Sequence, residues 1–297
     1  MSSSTRSIDA SRRPVTVPQI ASSKVRAGSE PLVMVTAYDA PSSRVADEAG
    51  VDMILVGDSL AMVVLGYDDT LQVTVADMAH HVAAVARANP SALVIGDMPW
   101  MSYHVSPAET VRNAAELIRA GAGCVKLEGG AKRVGMVEAI VDAEIPVMGH
   151  IGLTPQSLHA MGGFKVQGRE SQAALQLVAD AKALQHAGCF AIVIEGVPGE
   201  VAAMITDALD IPTIGIGAGP RCDGQVLVMH DLLGIEDRMA PKFVRRYADV
   251  KAVSVEAVSA YADDVRTGAF PSSEESYHLN AEQAEAMALY GNLPIGD

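Results

Sequence analysis

Aromatic residues are scarce in this chain, 4% of 297, with one tryptophan and four phenylalanines. A core built on large rings is therefore excluded. Ala, Val, Ile, Leu and Met must fill the interior, a mixture suited to close helix packing around a Val/Ile-rich sheet. Cysteines number only three, and Cys124, Cys189 and Cys222 lie far apart with no CxxC spacing. That excludes a disulfide framework and fits a reducing cytoplasm. Two of them stand in or beside apolar runs, where a small buried hydrophobe is expected. No uninterrupted apolar stretch reaches the roughly 18 residues that a membrane-spanning helix needs, so no membrane span is expected. Basic side chains are also in deficit, 22 against 36 acidic ones, for a net charge of −14. Nucleic acid and anionic membranes both call for a basic surface, and neither is an expected partner.

What the chain does have is apolar residues, 49% of the total, arranged in short runs. Four of these runs each end in one acid: Met53-Ile54-Leu55-Val56-Gly57-Asp58, Leu93-Val94-Ile95-Gly96-Asp97, Cys124-Val125-Lys126-Leu127-Glu128 and Phe190-Ala191-Ile192-Val193-Ile194-Glu195. A continuous apolar run bounded by turn residues reads as a strand buried on both faces, as in parallel sheets. A carboxylate is costly inside such a core. It is tolerated at the C-terminal mouth of an α/β barrel, where active sites sit.

The alternation extends along the chain. Strand candidates lie at 32–38, 53–58, 92–97, 124–128, 146–151, 190–195, 212–216 and 225–229, with helical periodicity at 74–89, 106–121, 132–143, 171–187 and 199–209. Thr74 and Ser106 suit N-caps, Pro107 suits a first turn, and Gly121 and Gly188 suit left-handed helix ends. Eight such alternations predict a single (β/α)₈ TIM barrel over residues 29–270. An open doubly wound sheet would carry a Gly-rich loop after its first strand, where this chain has Thr36-Ala37-Tyr38-Asp39. The long segments 59–73 and 152–170 read as rim loops. Residues 1–28, Ser- and Arg-rich and broken by Pro14 and Pro18, read as a flexible or loosely docked arm. Residues 241–267 read as helical. Residues 271–297 read as a tail with a short helix at 280–290.

Asp58 and Asp97 are hard oxygen donors of the kind Mg²⁺ takes in small number, the lesser alternative being that each caps the helix after its strand. Glu128 could join them or pair with Lys126 or Lys132. Lys126 shares a strand face with Glu128, because side chains alternate with period two. There it would hold a substrate oxygen or balance the surplus acids. Glu195, between apolar residues and Gly196, suits a general base or a structural ion pair. His150 ends the fifth strand and would be either a substrate-pocket residue or a hydrogen-bonded core residue. Gly215, Gly217 and Gly219 allow close backbone approach.

The runs Val56-Gly57-Asp58-Ser59-Leu60, Asp97-Met98-Pro99, Val125 through Gly130, Gly149-His150-Ile151-Gly152-Leu153-Thr154-Pro155-Gln156-Ser157 and Gly162 through Gly168 are joined by Ile214 through Gly219 and Asp223-Gly224-Gln225. In order and spacing they resemble the ketopantoate hydroxymethyltransferase family, from about residue 30 to residue 277. The resemblance implies a barrel of the phosphoenolpyruvate/pyruvate type, Mg²⁺ as cofactor and 5,10-methylenetetrahydrofolate as co-substrate. The implied reaction turns 3-methyl-2-oxobutanoate into 2-dehydropantoate, toward pantothenate and coenzyme A, through a Mg-stabilised enolate. Matched residue by residue, Asp58, Asp97 and Glu128 fall on metal positions. Asp58, Ser59, Asp97 and Lys126 fall on substrate contacts, and Glu195 on the proton acceptor. It also implies a symmetric homo-oligomer, commonly a decamer. Gly196, Ala61 and Glu274-Glu275-Ser276-Tyr277 depart from the family pattern without touching those positions.

Two other readings stand beside this one. The first is a Mg-dependent 2-oxo-acid C–C lyase of the isocitrate-lyase-like superfamily. Such enzymes carry a cysteine on a mobile rim loop, and residues 129–131 contain none. The second is a barrel that only binds a metabolite or a partner, against which stands the retention of four acids and Lys126.

Overall fold

The computed structural model describes residues 12–236 and 241–288. Eight parallel strands close into a barrel in sequence order: β1 Leu32–Thr36, β2 Met53–Val56, β3 Leu93–Asp97, β4 Cys124–Glu128, β5 Val147–Gly152, β6 Ala191–Glu195, β7 Thr213–Ile216 and β8 Gly224–Leu227. All eight expected strands are present, with β1, β2 and β8 each ending two residues before the expected end. The five expected helices form at Val75–Ala86, Pro107–Arg119, Val134–Asp142, Ser171–His186 and Gly199–Ala208.

Local chemistry explains where the helices start and stop. Thr74 and Asp77 cap Val75–Ala86 reciprocally, with Asp77 N donating to Thr74 Oγ1 at 3.3 Å and Thr74 N to Asp77 Oδ2 at 2.9 Å. Ser106 accepts from Glu109 N at 3.2 Å, with Pro107 in the first turn. Gly121 and Gly188 take φ of +114° and +101°, as helix ends in left-handed geometry require.

Period-two alternation divides the barrel into two cores. Inward residues such as Met34, Met53, Leu55, Ile95, Met148 and Val193 form one buried cluster. Outward ones such as Val35, Ile54, Val56, Val125 and Ile192 pack against the helix layer. The inward positions become charged toward the C-terminal end, in the order Cys124, Lys126, Glu128 along β4 and Met148, His150 along β5. From β7 to β8 the chain returns through residues 217–223 without a helix. Phe243 covers this gap so closely that a Cβ on Gly217 would come within 2.6 Å of its ring.

The N-terminal arm differs from the sequence expectation. From Arg12 on it is packed beneath the barrel; residues 1–11 lie outside the described residues. Val15 N donates to Ser91 O at 2.7 Å, and the helix Val17–Ala21 carries Ile20, 2% exposed, into the inner cluster. Lys24 Nζ reaches Asp223 Oδ2 at 2.7 Å and Thr206 O at 3.0 Å, both partners being buried. Val15, Val17 and Ile20 supply an apolar face that the arm's Ser and Arg content obscures.

The chain divides into two compact units, one ending at Tyr247 and the other beginning at Ala248. The second contains the helices Val250–Thr267 and Ala281–Ala288. The helix read over 241–267 begins only at Val250, where Asp249 caps it by accepting from Ala252 N at 3.1 Å. It buries none of its residues and groups with the segment that follows, whereas the sequence reading counted it with the barrel.

Candidate active site

The acids at the strand ends are drawn together by register. Asp97 on β3 is the partner of Lys126 on β4, and Glu128 on β4 is the partner of His150 on β5. Neighbouring strands lie about 4.8 Å apart, so such partners touch when their side chains point inward. Lys126 Nζ lies 2.8 Å from Asp97 Oδ1 and 3.4 Å from His150 Nδ1. His150 Nδ1 is 3.3 Å from Glu128 Oε1, and its Nε2 is 3.3 Å from Glu195 Oε2. These last distances suit ion pairs, but neither Glu128 Oε1 nor His150 Nε2 has a directed hydrogen bond.

Asp58 lies just past the end of β2. Its backbone N–H donates to Asp97 Oδ2 at 3.1 Å, and its Oδ2 accepts from Gln156 Nε2 at 2.9 Å. Ser59 shares a hydrogen bond of 2.9 Å with the Tyr38 hydroxyl and takes no part in the carboxylate contacts. Asp58, Asp97, Lys126, Glu128 and His150 are all buried, and the Glu195 side chain is 17% exposed.

Four carboxylates thus face one lysine and one histidine. Burial, reinforced by the charges of Asp97 and Glu128, pushes Asp58 well above the usual carboxylate range. Burial also raises Asp97, although Lys126 beside it opposes the shift. Glu128 meets the same burial, but His150 and Lys126 outweigh it and hold Glu128 below the usual range. For Lys126, burial works against the charge, yet Asp97, Glu128 and Asp58 prevail and hold it above the ordinary lysine value. For His150, burial and Lys126 oppose protonation, while Glu128 and Glu195 prevail and raise it to about 9.

Among the described residues, no three His, Cys, Asp or Glu side chains converge to enclose a metal ion. Asp58, Asp97 and Glu128 do not form a closed cage, because Glu128 turns toward His150 and takes Gln156 N on Oε2 at 3.1 Å. The donor set nonetheless fits Mg²⁺, which binds through one or two carboxylates and completes its shell with water and substrate. Asp58 and Asp97 supply hard oxygens in an electronegative cluster, Asp97 Oδ1 being paired with Lys126 and Glu128 Oε1 being buried without a directed hydrogen bond.

Two site residues stand outside the sequence expectation. Gln156 follows β5 in a short turn, and Tyr103 follows β3. The Tyr103 hydroxyl donates to Gln156 Oε1 and accepts from Glu128 N at 3.2 Å. Gln156 falls within one of the motif runs, but no periodicity marks its role. Tyr103 carries no motif signal at all. The three cysteines are free and buried. No described helix is long and apolar enough to cross a membrane.

A model of the ketopantoate hydroxymethyltransferase family matches residues 14–273. The 3-methyl-2-oxobutanoate hydroxymethyltransferase of Moorella thermoacetica is 57% identical over 269 residues, covering 90% of this chain and 99% of the relative. That of Ignicoccus hospitalis is 60% identical over 242 residues, covering 82% and 92%. A Bradyrhizobium diazoefficiens relative, 3-methyl-2-oxobutanoate hydroxymethyltransferase 2, is 57% identical over 257 residues, covering 86% and 88%. Among solved structures, 2,3-dimethylmalate lyase, a PEP mutase/isocitrate lyase superfamily member, superposes with a TM-score of 0.56 at 19% identity, covering 93% and 99%. Phosphonopyruvate hydrolase, in complex with oxalate and Mg²⁺, gives 0.57 at 15% identity, covering 93% and 98%. At these identities the structural likeness establishes the barrel and not the reaction.

Proposed function

The chain belongs to the ketopantoate hydroxymethyltransferase family, and from that premise we propose that it moves a one-carbon unit from 5,10-methylenetetrahydrofolate to 3-methyl-2-oxobutanoate, water supplying the hydroxyl oxygen and tetrahydrofolate leaving, to give 2-dehydropantoate for pantothenate synthesis. The observation that carries the chemistry is the linkage of two clusters: Asp58, Asp97 and Lys126 lie together, and Glu195 is one histidine away.

Asp58 and Asp97 would hold Mg²⁺, with Glu128 behind a water. When bound, the ion supplies a Lewis acid that makes the C3 proton of a 2-oxo acid removable. Glu195 takes that proton on its carboxylate, which His150 Nε2 holds from 3.3 Å at Oε2. Lys126 stays charged and offsets the negative charge that develops on the substrate oxygens. Burial of the cluster keeps bulk water from quenching the carbanion before it attacks the one-carbon unit. Ser59, braced by Tyr38, is the remaining substrate contact in this reading.

Free cysteines support a reducing cytoplasm. Assembly into a homo-oligomer, the decamer that the family suggests, is supported by Val258, Tyr261 and Val265. These exposed residues share one face of the helix Val250–Thr267 at spacings of three and four. Light scattering gives the subunit count.

The test of the chemistry is solvent deuterium exchange at C3 of 3-methyl-2-oxobutanoate with Mg²⁺ and no folate. Exchange is expected in the wild type and is expected to be lost in Glu195→Gln and on chelation. Wild-type exchange in Glu195→Gln would remove Glu195 as the base. An unchanged Mg²⁺ titration in Asp97→Asn would remove that ligand.

A further inference from the structure

Gln156 is a neutral residue bonded to two of the site's carboxylates, those of Asp58 and Glu128, and every hydrogen-bonding group it has toward the site is engaged. Its Nε2 donates to Asp58 Oδ2 at 2.9 Å and to Met98 O at 3.0 Å. Its Oε1 accepts from the Tyr103 hydroxyl, and its backbone N–H donates to Glu128 Oε2 at 3.1 Å. The side chain is buried, and the segments after β2, β3, β4 and β5 all meet at it.

We propose that Gln156 is a positioning residue for the reaction: it takes one oxygen of Asp58 and one of Glu128, and so decides which oxygens of those carboxylates stay open to metal and substrate. Only a primary amide meets the local demand. Two N–H groups are needed, one for Asp58 and one for the Met98 carbonyl, and an acceptor is needed for the Tyr103 hydroxyl. A carboxylate in its place would add a fifth negative charge. An apolar residue would leave three buried polar groups without partners. Tyr103 completes the lock: its hydroxyl accepts from Glu128 N–H and donates to Gln156 Oε1, so the amide cannot rotate. With Oδ2 of Asp58 and Oε2 of Glu128 committed, Oδ1 and Oε1 remain. Glu128 Oε1 is the oxygen that lies toward His150 without a directed hydrogen bond.

The inference rests on the proposed Mg²⁺ reading, and the test separates the two. Gln156→Met keeps the length and volume of the side chain while removing the amide. Residues that orient metal ligands typically contribute about 10–100-fold in affinity or activity. The Mg²⁺ dissociation constant, measured by calorimetry, is expected to rise within that range. The kcat for hydroxymethyl transfer should fall with it, at saturating 2-oxo acid, in protein whose circular dichroism matches the wild type. Tyr103→Phe leaves the amide but frees its oxygen, and should move both quantities in the same direction by less. A merely structural glutamine would lower the melting temperature and leave kcat and the Mg²⁺ titration of the folded protein unchanged; that result overturns the proposal. If wild-type protein bound no Mg²⁺, the metal reading would fail. The transfer kcat would then judge Gln156 alone, with an unchanged value in Gln156→Met again overturning its role. Should Gln156→Met not fold, Tyr103→Phe decides: reduced kcat upholds the lock, and wild-type kcat rejects it.

Discussion

Lys126 and Asp97 are register partners on adjacent parallel strands, and their charges meet at 2.8 Å inside the barrel mouth. Among the described residues Lys126 is the lysine that pairs with the carboxylates of the barrel mouth, so removing it leaves Asp97 without its counter-charge. Breaking a buried pair from one side costs about 3–5 kcal/mol. Lys126→Met is expected to lose stability on that scale in urea denaturation of metal-free protein. Adding Asp97→Asn should restore part of the loss, because the stranded charge is then gone. Simple additivity of the two single costs would show that the pair is not coupled.

The acid-ended strands were legible in sequence because alternation is a strict rule inside a closed barrel. Lys126 and Glu128 are two apart on β4 and both point inward, as do Met148 and His150 on β5. Asp58 was harder to place, since β2 ends at Val56 and alternation stops fixing direction there. Gln156 and Tyr103 sit in rim segments without periodicity, where only contacts between distant segments reveal a role. The packing of the arm before β1 is hard to read from sequence for a different reason. Its composition is polar, but its few apolar residues fall where a short helix can insert Ile20 into the barrel floor.

That floor supports a second prediction. Lys24 Nζ and Asp223 Oδ2 are 2.7 Å apart, and Asp223 also accepts from Val25 N and Thr213 N, each at 2.9 Å. The pair therefore ties the arm to the start of β8, at the end of the barrel opposite the carboxylates. Lys24→Ala should destabilise the protein by about 3–5 kcal/mol, because it leaves a buried aspartate unpaired. The kcat of the folded fraction should stay at the wild-type value. A fall in kcat at full folding would mean that the arm acts on the chemistry, contrary to its position.

A third prediction concerns pH. Burial, together with the Arg133 guanidinium, pushes the His104 imidazole down from 6.5 to about 4. Its Nδ1 has no hydrogen-bond partner, and its ring stacks obliquely on Tyr103 at 4.3 Å between centroids. Between these two pKa values the unfolded chain binds a proton that the folded chain refuses. The contribution is therefore fully present above pH 6.5 and is lost as pH falls toward 4. His104 is only partly buried, so solvent screening reduces the effect to roughly 1 kcal/mol. His104→Gln should narrow the stability difference between pH 7 and pH 4.5 in urea titrations by that amount. Parallel pH profiles for the two proteins would rule out this source of acid sensitivity.

Gly152 offers the sharpest structural test of how Glu195, the proposed base, is held. It is the last residue of β5 and the register partner of Glu195, with φ of +95°. A Cβ at this position would lie 2.3 Å from the Glu195 carbonyl oxygen, a backbone atom that cannot swing aside as a side-chain tip would. Gly152→Ala therefore combines a left-handed conformation, which costs an alanine about 1–3 kcal/mol, with a forced separation of β5 and β6 at the mouth. Separating the strands would move Glu195 out of the place the proposed reaction needs, and a displacement of about 1 Å costs on the order of 100-fold in rate. Both losses are expected together, as a lower melting temperature and a lower kcat. Gly135→Ala is the control: it sits in the helix Val134–Asp142 with nothing within 4 Å of a built Cβ. There the substitution should be neutral or stabilising by about 0.5–1 kcal/mol, with kcat unchanged. A Gly152→Ala enzyme with wild-type kcat would show that the closeness of β5 and β6 is not what sets the position of Glu195.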